Sequence, residues 1–334
     1  MALIRIAIDA YGGDLAPDIN IDGAISALNT YNDKEIKIIL VGKEEELKRK
    51  LKEKNAENLN IEVFNADEVF PMSEKPSLII RKKETSLYKA AELVKKGEAD
   101  ALVSAGNTGA LLACSLFVVG RIKGVQRAAI ATTFPSKKGF TILLDSGANS
   151  EVKPEVLESF GEMGLEYAKF KGAPKPKVGL LNVGEEEEKG TEIQKQANKL
   201  LKEKMGEHFS GNVEGRDILL GDCDVVVCGG FEGNIALKTM EGTLKFFSST
   251  IKETIKSSGF LSLLGGLLLK KTFKKVSQKF DPSEIGGAFI LGVKNIVVKA
   301  HGNSNSKAIM NAIRVASEGV EKNLIDDISK HFGG

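Results

Sequence analysis

The sequence predicts an α/β protein, a three-layer α/β/α arrangement around a mostly parallel sheet. Two observations carry this. Short apolar runs of strand length alternate with longer amphipathic runs along the whole chain, the rhythm of strands covered on both faces by helices. Five of the strand-like runs end in small or polar residues, at Asp9, Ser104, Asp145, Asn182 and Gly229. Open α/β sheets gather their ligands at the carboxyl ends of strands.

Composition narrows the class. A chain of 334 residues buries a large core, and 42% hydrophobic with 28% charged residues is ordinary for a soluble globular protein. A net charge of +2 gives no global electrostatic case for nucleic acid. Cys114, Cys223 and Cys228 lie in or beside apolar runs, without disulfide or zinc spacing, which fits buried thiols in a reducing compartment. Met1 to Ile8 reads as a strand rather than a signal peptide. The uncharged run Gly259 to Leu269 falls short of the roughly 20 residues that span a bilayer. A cytoplasmic protein with a single α/β domain over 1–334 is expected, carrying a protruding Leu/Lys-rich helical segment at about 244–280.

In chain order, Leu3 to Ile8 is the first strand, ending at Asp9. The loop Asp9 to Pro17 holds Asp9 and Asp14 around Gly12-Gly13; Asp14 and Asp18 have a second use as caps for a helix over 19–28. Strands follow at 36–41 and 61–64, with a helix over 44–54 between them. Arg81, Lys82 and Lys83 form a solvated face or, for Arg81, a guanidinium ligand to phosphate. A helix over 86–96 leads to the strand at 101–103 and to Ser104-Ala-Gly-Asn-Thr-Gly-Ala110. That is strand, tight loop and helix start. Gly106 and Gly109 let a ligand approach the backbone, Ser104, Asn107 and Thr108 add donors, and the helix start favours an anion. The competing use of Asn107 or Thr108 is an ordinary N-cap. The stretch is neither a dinucleotide fingerprint nor a Walker loop.

Strands are expected at 126–133 and 141–144, the second ending in Asp145-Ser-Gly-Ala-Asn149, and a helix at 154–170. The strand at 178–182 ends in Asn182 and a glutamate-rich loop whose odd member is Lys189, beside Gly190 and a helix running to 204. The strand at 224–228 precedes Gly229 to Lys238, which repeats the strand, glycine loop, helix plan with Gly233 and Asn234 placed as Gly106 and Asn107 are. Strand-like runs at 285–293 and 295–300 lead to His301-Gly-Asn-Ser304 and a last helix over 306–320.

Seven stretches, taken in order, resemble the bacterial phosphate acyltransferases (acyl-acyl-carrier-protein:phosphate acyltransferases, the PlsX family). They are 9–17, 104–110, 144–149, 181–190, 230–238, 286–293 and 300–304. The sequence departs from the family pattern with Tyr11 for Met, Gly229 for Asp and Phe289 for Pro, so Asn234 becomes the stronger candidate in its loop. The resemblance implies a fold similar to the isocitrate/isopropylmalate dehydrogenases and phosphotransacetylases. It also implies transfer of a long acyl chain from acyl carrier protein to inorganic phosphate for phospholipid synthesis, by a homodimer without metal or organic cofactor. A glycerol-3-phosphate acyltransferase would act downstream.

The residues suit that chemistry. Phosphate is already a nucleophile and a thioester an electrophile, so the site must hold phosphate, stabilise an oxyanion and align the two. Lys189 suits the developing charge and Asn234 the oxyanion. His301 either protonates the departing thiolate or orients a neighbour. Asp9, Asp14, Arg81, Ser104, Gly106, Asn107, Thr108, Gly109, Asp145, Asn149, Asn182, Gly233, Asn303 and Ser304 complete the candidate substrate site. Within 244–280, Phe260, Leu261, Leu263, Leu264, Leu267 and Leu268, with Lys270 and Lys271, either contact a membrane surface peripherally or form interface core. The basic flank is also suited to an acidic carrier protein. Rival readings are an acyl-CoA:phosphate transferase of the phosphotransacetylase type and a non-catalytic membrane scaffold for lipid-synthesis enzymes.

Overall fold

The structure, a computed structural model, describes residues 3–32 and 35–333; Met1 and Ala2, at the start of the expected first strand, lie outside them. The elements run β1 (Ile4–Asp9), α1 (Asp18–Thr30), β2 (Ile36–Gly42), α2 (Glu44–Glu53), β3 (Ile61–Asn65), α3 (Ser86–Lys95), β4 (Ala101–Ser104) and α4 (Thr108–Cys114). Then come β5 (Ala129–Ser136), β6 (Gly139–Leu144), α5 (Pro154–Phe170), β7 (Val178–Leu181), α6 (Glu192–Met205), β8 (Phe209–Val213) and β9 (Val225–Val227). The chain closes with α7 (Gly230–Ser257), α8 (Phe260–Lys279), α9 (Pro282–Ile285), β10 (Ala288–Leu291), β11 (Ile296–Lys299), α10 (Ser306–Glu321) and α11 (Leu324–His331).

All described strands join one sheet of order β3-β2-β1-β4-β11-β10-β5-β6-β9-β7-β8. Two parallel blocks, β3-β2-β1-β4-β11 and β6-β9-β7-β8, are joined through antiparallel pairings of β10 and β5. The expectation of a mostly parallel sheet with helices on both faces holds.

Strand alternation sorts the core. Ile6, Ile8, Val103 and Val298 pack toward α1, α10 and α5, whereas Ala7, Leu102 and Val297 pack toward α3 and α4. By the same alternation Asp9, Ser104 and Lys299, at the ends of β1, β4 and β11, share the α3/α4 face. Ser104 and Lys299 are direct register partners. A third cluster of Phe134, Leu143, Val226 and Leu237 seats the start of α7.

Some boundaries differ from the sequence expectation. The apolar run after Ser104 is α-helical only to Cys114. Ser115 Oγ then donates to the Leu111 carbonyl at 2.7 Å, and a π turn carries the chain to Val119. No side chain caps α1, so Asp14 and Asp18 do not serve as its N-cap; Asp18 pairs with Lys50 instead. α7 begins at Gly230, a turn earlier than the apolar pattern from Ile235 suggested. β8 and α11 have no counterpart in the sequence expectation.

The segment 244–280 is the second half of α7 followed by α8. α8 buries no residue, with Phe260 78%, Leu261 82% and Leu268 79% exposed. Leu263, Leu264, Leu267, Lys270 and Lys271 are exposed as well. No helix among the described residues is long and apolar enough to cross a membrane.

Candidate active site

The first of three loop clusters forms where β1 and β4 end. The buried Asp9 carboxylate accepts the Ser86 hydroxyl at 2.6 Å on one oxygen and the Ser104 hydroxyl at 2.8 Å on the other. Ser104 Oγ in turn accepts the Gly106 amide at 3.0 Å. Burial pushes the Asp9 carboxyl up, against the opposing pull of the serines. A Cβ on Gly12 would stand 2.6 Å from Asp9 Oδ2 and 2.8 Å from the Gly106 amide, so only glycine lets these two loops touch. Asp9 and Ser104 therefore hold the loops in place.

Asn107 is the N-cap of α4: its Oδ1 accepts from the Ala110 amide at 3.0 Å. Its Nδ2 donates to the carbonyls of Met72 (2.8 Å) and Glu74 (3.2 Å), pinning the loop across the cluster. Thr108 opens the helix half-buried, and Gly109 packs beneath Pro76. The exposed Asp14 joins through its backbone, donating to the Gly302 carbonyl at 2.8 Å. Arg81 is exposed at the end of a short 3-10 turn, Pro76–Arg81.

The second cluster is built on Asp145, whose side chain is wholly buried. It accepts the amides of Ile130, Gly147, Ala148 and Asn149 at 2.8–3.0 Å and Asn149 Nδ2 at 2.9 Å. Burial pushes this carboxyl up while the amides pull it down. Asp145 is the post on which the 145–149 loop is wound, and Asn149 Nδ2 ties it to the Ala128 carbonyl at 2.8 Å. α7 docks directly on this loop: the Gly230 amide donates to the Asn149 carbonyl at 2.8 Å, and a Cβ on Gly233 would overlap the Asp145 carbonyl oxygen. Asn234 is exposed just beyond the first turn, and a Cβ on Gly147 would lie 3.6 Å from its own. No side chain caps α7; the loop carbonyl of Asn149 takes its Gly230 amide, and the Gly233 amide donates to the Gly229 carbonyl at 2.9 Å. At Gly229, a Cβ would come within 2.5 Å of Glu232 Oε2, so Glu232 fills the space an aspartate would take.

The third cluster is the loop after β7. Asn182 Nδ2 donates to the Lys189 carbonyl at 3.0 Å while its Oδ1 accepts the Val183 amide at 2.8 Å. Lys189 is exposed, and its ammonium makes no ion pair among the described residues.

One helix spans the first two clusters. Two turns beyond Asn234, about 10 Å along the axis, Glu241 accepts Lys238 Nζ at 2.8 Å and stands 3.6 Å from His301 Nε2. Burial and the nearby Lys299 lower the His301 pKa, with Glu241 opposing. Lys299 is half-buried; among the described residues its Nζ has one partner, the Ala300 carbonyl at 3.0 Å, and desolvation with the nearby Lys238 lowers its pKa to about 8. Asn303 is exposed; Ser304 is 5% exposed and its hydroxyl has no hydrogen-bond partner. Sequence reasoning missed Glu241, Lys238 and Lys299 as site residues. The available signal was Lys299, a charge ending a strand that is otherwise apolar.

The model of the family described as "Fatty acid synthesis protein" matches residues 4–327. A phosphate acyltransferase of Fervidobacterium nodosum is 51% identical over 332 residues, 99% of this chain and 98% of that protein. A phosphotransacetylase from Streptococcus pyogenes superposes with a TM-score of 0.63 at 16% identity, covering 96% of this chain and 94% of the other. A 4-hydroxythreonine-4-phosphate dehydrogenase from Klebsiella pneumoniae gives 0.52 at 15%, covering 96% and 100%. These two likenesses speak to the fold alone. Identity across nearly the full length makes the chain a member of the fatty acid synthesis protein family, an acyltransferase of the phosphate acyltransferase group.

Proposed function

We propose that the enzyme transfers a long-chain fatty acyl group from acyl carrier protein to inorganic phosphate, and that the acyl phosphate feeds phospholipid synthesis. One observation carries the site assignment. α7 presents Asn234 just beyond its first turn at the 145–149 loop, and Glu241 with Lys238 two turns later beside His301 and Lys299. The lysines suit a dianionic nucleophile, and the exposed Asn234 amide suits the oxyanion that develops as that nucleophile attacks the acyl carbon. A phosphate oxygen forms the new bond to the thioester carbon, the carbon–sulfur bond breaks, and the thiolate departs. Asn234 donates to the oxyanion, Lys189 offsets charge on the incoming phosphate, and His301 orients or protonates at the leaving sulfur. Asp14, Arg81, Thr108, Asn303 and Ser304 belong to the substrate-facing rim in this reading. Asp9, Ser104, Asn107, Asp145, Asn149 and Asn182 hold the loops.

The protruding α7–α8 pair gives the reading its context. Phe231, Ile235 and Phe246 leave an apolar side on α7 suited to a second copy of the chain. The α8 tip with its lysines suits an anionic membrane surface, where the product's acyl chain is at home and a glycerol-3-phosphate acyltransferase would consume it.

The test is acyl-phosphate formation from palmitoyl carrier protein and phosphate, in chelator without detergent, with hydroxylamine trapping. Product from the wild type and a large loss in Lys189→Ala and Asn234→Ala are expected. No product, with lipid vesicles and acyl-CoA also supplied, would overturn the reading in favour of a scaffold.

A further inference from the structure

Lys299 is half-buried at the end of β11, and among the described residues its side chain has one hydrogen bond, to the neighbouring Ala300 carbonyl at 3.0 Å. Glu241, the carboxylate whose charge reaches it, is taken by Lys238 at 2.8 Å and flanked by His301 at 3.6 Å. Three basic groups thus surround one carboxylate at the C-terminal end of β11. On the same sheet face, Asp9 is closed off by the Ser86 and Ser104 hydroxyls. The loop that follows Lys299 also buries the Ser304 hydroxyl without a partner. A half-buried lysine amine with a single carbonyl partner and a buried hydroxyl with none, on one loop, describe a place built for an oxyanion.

We propose that Lys299 is a phosphate-binding residue that takes up a proton as the phosphate dianion arrives, with Lys238, His301 and Ser304 around it. The inference rests on the phosphate-acyltransfer reading and adds the residue that meets the nucleophile's charge. In the free enzyme Lys238 and His301 flank Lys299, and Glu241 alone offsets them. A dianion reverses that balance and favours the ammonium. Nothing covalent happens at Lys299: one proton from solvent goes onto its Nζ on binding and returns to solvent when the acyl phosphate leaves.

The experiment is calorimetric titration of the full-length protein with inorganic phosphate, without acyl donor. It is run at about pH 8.5, where phosphate is already the dianion, in two buffers of different ionisation enthalpy. The wild type is expected to bind with uptake of a large fraction of a proton. Lys299→Met should weaken binding on the order of tenfold to a hundredfold, the range of a lost charge-assisted hydrogen bond, and abolish the uptake. Lys299→Arg, which stays charged, should retain binding but take up no proton, a separation that loss of packing would not produce. Wild-type affinity and uptake in Lys299→Met would overturn the proposal and leave the acyltransfer reading standing. Absence of phosphate binding by the wild type would overturn both.

Discussion

His301 Nε2 stands 3.6 Å from Glu241 Oε1, and this contact ties the loop after the last strand to the fourth turn of α7. Burial, Lys299 and Lys238 all lower the His301 pKa, and Glu241 alone raises it. In Glu241→Gln that support is gone. Ring NMR should show His301 titrating below the usual 6.5 in the wild type and lower still in the variant. An unchanged or raised value in Glu241→Gln would mean that the two side chains do not interact.

The same lowered pKa has a stability consequence. The unfolded chain takes a proton on this histidine near its ordinary 6.5, whereas the folded chain resists until lower pH. The His301 contribution is therefore fully present above pH 6.5. It is lost as pH falls from there toward the folded-state value. Chemical denaturation of His301→Gln against wild type across that window should show a shallower acid loss in the variant. Parallel curves would remove His301 from the acid response.

Gly233 and Gly242 lie on one helix in opposite surroundings. A Cβ at 233 would overlap the Asp145 carbonyl, whereas a Cβ at 242 meets nothing within 4 Å. Gly233→Ala must push α7 off the 145–149 loop and should cost about 1–3 kcal/mol or more, with activity falling because Asn234 moves. Gly242→Ala should be neutral or stabilise by up to about 1 kcal/mol, the ordinary helix preference for alanine. Denaturant midpoints of the two variants check this, and equal effects would contradict the docking geometry.

Much of this arrangement is legible in the sequence because parallel strands buried on both faces leave continuous apolar runs. The glycine loops at their ends stand out against those runs. The runs ending at Asp9, Ser104 and Asp145 locate the loop clusters. What each polar residue does there was less legible. Asp9 and Asp145 look like ligand carboxylates in one dimension, yet both face inward onto hydroxyls and amides: the Asp9 partners come from far along the chain, while the loop after Asp145 winds back onto its own carboxylate. Ser86 lies 77 residues from Asp9 and Ile130 lies 15 from Asp145. Glu241 and Lys238 were hidden for a different reason. On a 28-residue helix they read as solvated face, and only the path of α7 brings them to His301. β8 escaped because Ser210, Gly211 and Asn212 interrupt its apolar pattern.

Asn107 provides a test of a loop-holding role. Its two side-chain ends cap α4 and grip the Met72 and Glu74 carbonyls. Asn107→Asp keeps the capping oxygen and loses the grip, while Asn107→Ala loses both. Alanine should cost about 1–2 kcal/mol and aspartate less. Both should speed amide exchange through 72–75, and protection unchanged in the aspartate variant would show that the grip does not hold the loop.

The α8 tip separates surface function from folding more cleanly than any other part of the chain. Leu261 and Leu268 are about four-fifths exposed, at 82% and 79%, and α8 buries none of its residues. Replacing both with aspartate therefore removes no core contact and should leave the unfolding midpoint within about 0.5 kcal/mol of wild type. If the tip rests on lipid, each leucine contributes on the order of 1–2 kcal/mol of insertion, and each aspartate adds repulsion from an anionic surface. Sedimentation with vesicles containing anionic lipid should then fall at least tenfold for Leu261→Asp/Leu268→Asp. Charge reversal of Lys270 and Lys271 to glutamate should weaken binding mainly at low salt, as screened electrostatics require. Vesicle binding that survives the leucine changes and depends only on the lysines would reassign the tip from an insertion element to an electrostatic one. Loss of folding in the double aspartate variant would mean that the apolar tip is covered by another part of the assembly, as a second copy of the chain would do.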